Sequence, residues 1–515
     1  MQGAAHEHHS DGLPPACLFP QPKLIIGVLK TKGADGMKAA LVVCFLSVCL
    51  CYQPCSAQIQ ESFFGLHQNK YTKGEPWPTV PFAIRRSVSD IVAWSDLEGC
   101  PGGPDPNDPC YHWGTNLKGG NLDKVVNDSY AHGVDVMFTV YSVPDWASTR
   151  GSRCRGAGNP DKNCAGPPDD ECGSHKHKRL QVIGSCDPPY DVDAVVGSGE
   201  GDGSDKLFKD FVTAVATRYG KKIKYWEMWN EAPNIRFANP DHFTFKQFAR
   251  MTKDFRDAVK RVNPDAIVLG ANTCYCTPPG SAQFQSWTEG YFTALDKYGP
   301  SVVDAVSYHG YWHPEKIVEL VRVLREIADK HPSTRGKPFY DTEDAWPGRL
   351  SLRTASGALD WDAQAAWFAR SMILRAAEGT KAYIFFGWDL YPKANMWSRE
   401  KIDACTIPNR DGQPGYLCPL ASIYERARTW LLGAVFDKSC TAQRQAGGRV
   451  WGCDFTKSDG SYHGRFVWYD GRGDKATYTP ERQYVIARNL DGSTTDLKTK
   501  GPLSLGQTPV LLEMK

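Results

Sequence analysis

The chain has 515 residues, enough for about three domains or for one large barrel with an accessory module. Hydrophobic residues make up 41% and charged residues 23%, ordinary globular usage that excludes collagenous, disordered and polytopic membrane classes. Sixty Lys and Arg against 58 Asp and Glu leave a net charge of +2 with no basic stripe, which argues against nucleic acid as a partner, whereas 12% aromatic residues suit a protein that stacks flat ligands such as sugar rings.

In chain order, the first pattern is an apolar run of about thirteen residues, AALVVCFLSVCLC, directly after Met37-Lys38. It is too short to span a bilayer and has the length of a signal-peptide core. The small residues Cys55-Ser56-Ala57 follow, so Met37 reads as the start of a leader cleaved after Ala57. Residues 1–36 carry His6, His8 and His9 and no folding pattern. The expected chain is extracytoplasmic, secreted or periplasmic, with no membrane span after cleavage. Five of the 17 cysteines lie at or before Cys55, leaving an even set of twelve. Cys100 with Cys110, Cys154 with Cys164, Cys172 with Cys186, Cys405 with Cys418 and Cys440 with Cys453 are close neighbours in Gly- and Pro-rich stretches. That spacing suits disulfides closing short loops, and paired metal-ligand spacing is absent from the sequence.

From residue 58 to 433 short β-branched or aromatic runs alternate with amphipathic stretches. The predicted strands are Phe63 to His67, Phe82 to Ser87, Asp135 to Tyr141, Ile223 to Asn230, Ala266 to Ala271, Val303 to His309, Pro338 to Glu343 and Ala382 to Trp388. Between them apolar residues recur at three and four, as in Phe208, Phe211, Val212, Val215 and in Ile317, Leu320, Val321, Leu324. Eight strand–helix units predict an α/β fold, a (β/α)₈ TIM barrel with parallel strands. The long loops 95–121 and 142–204 leave the C-terminal ends of strands two and three, the end of a barrel where active sites sit. From 434 to 515 the helical period gives way to alternating β segments, including Arg449 to Phe455 and Pro509 to Met514. They predict a small β-sandwich packed on the barrel, its first strand paired with residues from near the start of the folded chain.

The chemistry concentrates at two strand ends. Strand four runs Tyr225-Trp226-Glu227-Met228-Trp229-Asn230-Glu231, and strict alternation would put Glu227, Trp229 and Glu231 on one face. Strand seven runs Pro338-Phe339-Tyr340-Asp341-Thr342-Glu343-Asp344. Two carboxyl groups on distant strands facing one rim are what glycoside cleavage requires, one to protonate the leaving oxygen and one to act at the anomeric carbon. Neither a HExxH, a serine elbow nor a phosphate loop appears in the sequence, so neither a metal nor a cofactor is expected.

Trp229-Asn230-Glu231 ending strand four together with Thr342-Glu343 ending strand seven resembles the clan A glycoside hydrolases, retaining enzymes on (β/α)₈ barrels, and within them family 39 and its family 5-like relatives. The resemblance covers residues 60–433. It implies that Glu231 is the general acid/base, Glu343 the nucleophile, and Asn230 a ligand for the hydroxyl beside the anomeric carbon. It also implies that Arg85 on strand two holds Glu343 ionised, with Arg86 on the opposite face. His67 on strand one, Tyr141 after strand three and His309 after strand six are further site residues by the same resemblance. Tyr311, Trp146 and Trp388 are expected sugar-stacking platforms. Ala232 where Pro is common and Asp344 beside Glu343 depart from the usual pattern, and the latter leaves two adjacent acids for one role. The expected partner is an oligo- or polysaccharide; a non-hydrolytic carbohydrate-binding barrel and a transglycosylase are the alternatives.

Overall fold

The computed structural model describes residues 58–514 apart from 117, 150–184, 233–237, 239–241, 271, 275–281, 346–359, 390–394, 403, 458–459, 461 and 472–474. The leader, the N-terminal histidines, Cys154, Cys164, Cys172 and Cys276 therefore lie outside the described residues.

Nine parallel segments build the barrel: β1 (Phe64–His67), β2 (Ile84–Arg86), β3 (Asp135–Val140), β4 (Ile223–Met228), β5 (Ile267–Leu269), β6 (Thr273–Cys274), β7 (Val306–His309), β8 (Phe339–Asp344) and β9 (Ala382–Phe385). They are ordered β5-β4-β3-β2-β1-β9-β8-β7-β6, and β5 and β6 are two pieces of one stretch of chain. Sheet edges that belong to the same strand close the sheet on itself, and a bridge from Leu269 to Ala305 completes the seam. The result is the predicted eight-stranded barrel. Among the described residues, and besides a single helical turn at Trp94–Leu97, seven helices clothe it: α1 (Leu122–Ala131), α2 (Lys206–Tyr219), α3 (Phe245–Val262), α4 (Ala282–Asp296), α5 (Pro314–Ala328), α6 (Trp361–Ala377) and α7 (Pro419–Leu431). Their starts follow from local chemistry. Asn121 caps α1 by accepting from the Lys124 amide, Thr244 and Gln247 form a capping box on α3, and Pro314 opens α5 where its missing N–H costs nothing.

Inside the barrel, Ile84, Met137, Tyr225, Leu269, Ala305, Tyr340, Ala382 and Ile384 form one apolar layer. Two residues further along the strands the same inward positions carry Arg86, Thr139, Glu227, Ser307 and Thr342, all buried. Period-two alternation thus stacks a polar layer on the apolar one, towards the C-terminal ends of the strands.

The C-terminal region is antiparallel, as expected. Strands β13 (Ala434–Val435), β15 (Gly448–Lys457), β16 (His463–Tyr469), β21 (Val510–Met514), β18 (Tyr484–Arg488) and β19 (Thr494–Asp496) lie in that order, with β14 (Thr441–Gln445) beside β15. A two-stranded ladder of β17 (Ala476–Tyr478) and β20 (Leu503–Leu505) accompanies this sheet. Small strands β10 (Trp397–Ser398), β11 (Ile407–Pro408) and β12 (Tyr416–Leu417) form a separate sheet after β9. One apolar cluster runs from barrel residues Phe64, Leu66 and Phe368 through Trp430 to Phe455, Phe466 and Trp468 of the sandwich. Ile59 exchanges two backbone hydrogen bonds with Gly433 and Ala434, so the start of the folded chain meets the beginning of β13.

Three expected disulfides are present, Cys100–Cys110, Cys405–Cys418 and Cys440–Cys453, and Cys186 is also disulfide-bonded. Among the described residues no helix is long and apolar enough to cross a membrane.

Candidate active site

At the barrel mouth β4 ends at Met228, and the backbone then turns left-handed twice, at Trp229 (φ 65°) and Glu231 (φ 45°). Such conformations cost free energy in non-glycine residues and cluster at functional sites. Their effect is to break strand alternation. Glu227 points into the barrel, whereas Trp229 packs edge-on against Phe243 and Phe248 outside it, at 5.3 and 5.8 Å. Asn230 joins Glu227 on the inner side. The expectation that Trp229 shares a face with Glu227 and Glu231 is therefore corrected.

Strand β8 breaks alternation differently. Its pairing shifts register against both neighbours between Asp341 and Asp344, the mark of a β-bulge. Thr342 and Glu343 consequently both face the barrel, where Thr342 Oγ1 donates to Glu227 and Glu343 accepts from Arg86. Asp341 and Asp344 both face outward to Arg375. Of the two adjacent acids, Glu343 faces the barrel and Asp344 sits behind the strand, bonded to Arg375 and to the Tyr383 hydroxyl at 2.8 Å.

The guanidinium beside Glu343 is that of Arg86, not Arg85. Arg86 Nη1 lies 2.6 Å from Glu343 Oε2, its Nε 2.7 Å from Glu227 Oε2, and its Nη2 2.8 Å from Asn230 Oδ1. Arg85 is directed outward instead, pairs with Asp90 at 2.7 Å and lies over the ring of Tyr71. The parity of β2 decides this. Ile84 belongs to the inner apolar layer, so Arg86, two residues on, shares its face.

His309, at the end of β7, joins the two expected acids. Its Nδ1 is 3.0 Å from Glu231 Oε1 and its Nε2 is 4.0 Å from Glu343 Oε2. One oxygen of Glu231, one oxygen of Glu343 and one ring nitrogen of His309 all lie within 4.8 Å of one another. Tyr311 donates its hydroxyl to Glu343 Oε1 and, beside that negative charge, is driven well above its ordinary pKa, with burial the largest cause. The trio offers donors that a metal ion accepts. However, Glu343 is already bonded by Arg86 and Tyr311, and a guanidinium at 2.6 Å disfavours a second cation.

The remaining predicted residues fall around this centre or behind it. His67 faces inward, hydrogen-bonded through Nε2 to the Thr342 carbonyl at 3.2 Å; burial and the nearby Arg86 charge keep it neutral, its pKa well below the usual value. Tyr141 is buried and donates to the Val88 carbonyl at 3.0 Å. Trp388 is wholly buried and stacked on Trp397, and Trp146 is nearly so, packed edge-on to Trp94. Neither expected platform presents an open ring face; of the three, Tyr311 alone keeps partial exposure.

Sequence reasoning missed Glu227, which is fully buried. Its Oε2 accepts from Arg86 Nε and Thr139 Oγ1 (2.8 Å), and its Oε1 from Thr342 Oγ1 (2.6 Å) and Asn272 Nδ2 (3.1 Å). Burial by itself raises such a carboxyl, but the charge of Arg86 and these hydrogen bonds outweigh it and hold Glu227 below the usual carboxylate range. An acid inside the apolar run Tyr225-Trp226-Glu227-Met228 was the available signal.

No protein-family model matches the chain, and no curated protein matches it in sequence. Solved structures do. CelM2, a bifunctional glucanase-xylanase from a metagenome library, is 12% identical over 89% of this chain and 96% of its own, with a TM-score of 0.51. The likeness is one of fold. A monomeric beta-xylosidase from Caulobacter crescentus CB15 is 15% identical over 89% of this chain and 97% of its own at a TM-score of 0.49, and a glucosidase from Croceicoccus marinus 16% over 88% and 83% at 0.47.

Proposed function

We propose that this protein is a retaining glycoside hydrolase. The observation that carries the reading is the approach of Glu231 and Glu343, one carboxylate oxygen of each lying within 4.8 Å of the other at the barrel mouth. Retaining glycosidases hold their carboxyl groups about 5 to 5.5 Å apart, whereas inversion leaves room for a water and needs roughly 6.5 to 9.5 Å. Glu343 supplies the carboxylate, bound by Arg86 and Tyr311, that attacks the anomeric carbon. Glu231, bonded to His309, gives its proton to the departing glycosidic oxygen as that bond breaks. The glycosyl ester on Glu343 is then cleaved by water, whose proton returns to Glu231, and the sugar keeps its anomeric configuration. Asn230, hydrogen-bonded to Arg86, binds the neighbouring hydroxyl in this reading.

The shared fold with CelM2, which acts as a glucanase and xylanase, supports an oligo- or polysaccharide of glucose or xylose as substrate. The leader-like run before Ala57 and the disulfides support action outside the cytoplasm.

The test is turnover of a panel of 4-nitrophenyl glucosides and xylosides together with xylan and β-glucan, with product configuration followed by proton NMR. Retained configuration is expected. Glu343→Ala should lose activity, and added azide should restore cleavage as a glycosyl azide of inverted configuration. An unmodified enzyme that releases inverted sugar, or that binds the polysaccharides without cleaving any substrate, would overturn the reading.

A further inference from the structure

Arg86 is wholly buried and meets three acceptors with one plane. Nε and Nη2 both reach Glu227 Oε2, at 2.7 and 2.6 Å, Nη2 also reaches Asn230 at 2.8 Å, and Nη1 reaches Glu343 at 2.6 Å. A guanidinium is rigid and planar, so whatever fixes one edge aims the others. The edge fixed here is the one on Glu227. That carboxylate is held in turn by Thr139, Thr342 and Asn272, from β3, β8 and the stretch between β5 and β6. Four strand regions therefore converge on an acid that faces the barrel interior and is wholly buried. Its charge is out of proportion to a packing role, because an unpaired carboxylate at this depth would cost several kcal/mol.

We infer that Glu227 is a positioning residue: it anchors Arg86 so that the same guanidinium holds Glu343 and Asn230 at fixed places relative to the anomeric carbon. The inference rests on the proposed glycosidase reading and adds a third carboxylate to it, one that never touches substrate. Without the anchor the fork is free to close fully on Glu343, which draws the nucleophile down and releases Asn230. Thr342 ties the anchor to the bulge, since the residue that bonds Glu227 directly precedes the one that attacks.

The experiment is a double-mutant cycle on the full chain with the 4-nitrophenyl glycoside it turns over best. Glu227→Gln keeps the shape and removes the charge; it should lower kcat about 100-fold, the cost of a misplacement of about 1 Å, while KM stays within about 3-fold. Arg86→Lys cannot span three acceptors and should lose at least as much. The double variant should be no slower than Arg86→Lys alone, because an anchor has no effect once the thing anchored is gone. Multiplicative losses, or a Glu227→Gln enzyme with unchanged kcat, would overturn the inference. Should Glu227→Gln fail to fold, Thr139→Val removes one donor to the same carboxylate without disturbing charge. Its kcat should fall roughly 10-fold at constant KM, and an unaltered kcat there would equally overturn the inference. Azide rescue of Glu343→Ala keeps the two readings apart: if it succeeds while the cycle is multiplicative, the glycosidase stands and the anchor does not.

Discussion

At the scale of single residues, the parity of one short strand decides which arginine serves the site. Arg85 and Arg86 are chemically identical neighbours, and nothing in a three-residue strand fixes which faces inward; Ile84 in the apolar layer does so only once the barrel is assembled. Glu231 and Glu343 were legible because an acid that closes an apolar strand is conspicuous. Glu227 was not, because a buried acid inside a strand looks like an error until its four donors are seen. The aromatic content misled in part, since Trp388 and Trp146 are spent on packing. A different acid carries a prediction at this scale. Glu98, almost wholly buried, accepts from the Trp94 indole and, at 2.8 Å, from the Gly102 amide, and so ties down the loop closed by Cys100–Cys110. Burial raises its pKa to about 7 from 4.5. A raised carboxyl favours the native state fully below its unfolded pKa, and this advantage is lost as pH rises through the folded value. Glu98→Gln cannot ionise. The Tm difference, variant minus wild type, should therefore grow from pH 4.5 to about 7 and level off above, by the equivalent of about 3 kcal/mol. A difference flat across that range would refute the assignment of Glu98 as the titrating group.

At the scale of elements, the strands and most helices could be read from periodicity, because apolar residues at every second position and at every third and fourth have no other simple explanation. The short strands β14, β17, β19 and β20 could not, and neither could the bulge in β8 or the two left-handed residues after β4. Those irregularities override local alternation and are held by contacts from distant elements. For the bulge the contact is Arg375 of α6. It bonds Asp341 and Asp344 from behind the strand and donates to the Gly310 carbonyl at 2.9 Å. A Cβ on Gly310 would stand 2.5 Å from that guanidinium and 2.6 Å from Asp341 Oδ2, so any larger residue just after β7 would have to displace this pair. Both aspartates are pushed up in pKa, burial being the largest cause, and Asp344 lies well above the usual range. Arg375→Met should leave two buried carboxyls without their counter-charge and destabilise the fold by about 3 to 5 kcal/mol at pH 8. The loss should be smaller at pH 5 than at pH 8, because protonation, favoured as pH falls, removes the aspartates' need for a cation. Denaturant unfolding at the two pH values measures this; equal losses at both would show that Arg375 acts by packing alone.

At the scale of the whole molecule, the barrel and the sandwich share apolar surface. Phe436, Phe455 and Phe466 form mutual ring contacts, Trp430 of α7 packs on Phe466, and the Trp468 indole donates to Glu315 of α5 at 3.1 Å. Removing residues from 434 onward should expose that surface and yield an aggregated barrel, read by size-exclusion chromatography of the truncated chain. A monomeric, active 58–433 fragment would show instead that the barrel stands alone. The join between Ile59 and residues 433 and 434 has a further consequence, for the order in which the chain can fold. The first strand of the barrel borders the last, so the ring cannot close until the ribosome has delivered nearly the whole barrel sequence, and the apolar side of its first segments stays uncovered until the sandwich emerges. Long-range closure of this kind is slow and exposes sticky intermediates. The three short disulfide loops, by contrast, each bring together cysteines only 10 to 13 residues apart and can form while the rest of the polypeptide is still being threaded out. Nascent-chain maturation is then paced by the meeting of Ile59 with residues 433 and 434; the Cys100–Cys110 and Cys405–Cys418 loops are complete before that segment emerges, and the Cys440–Cys453 loop only after it.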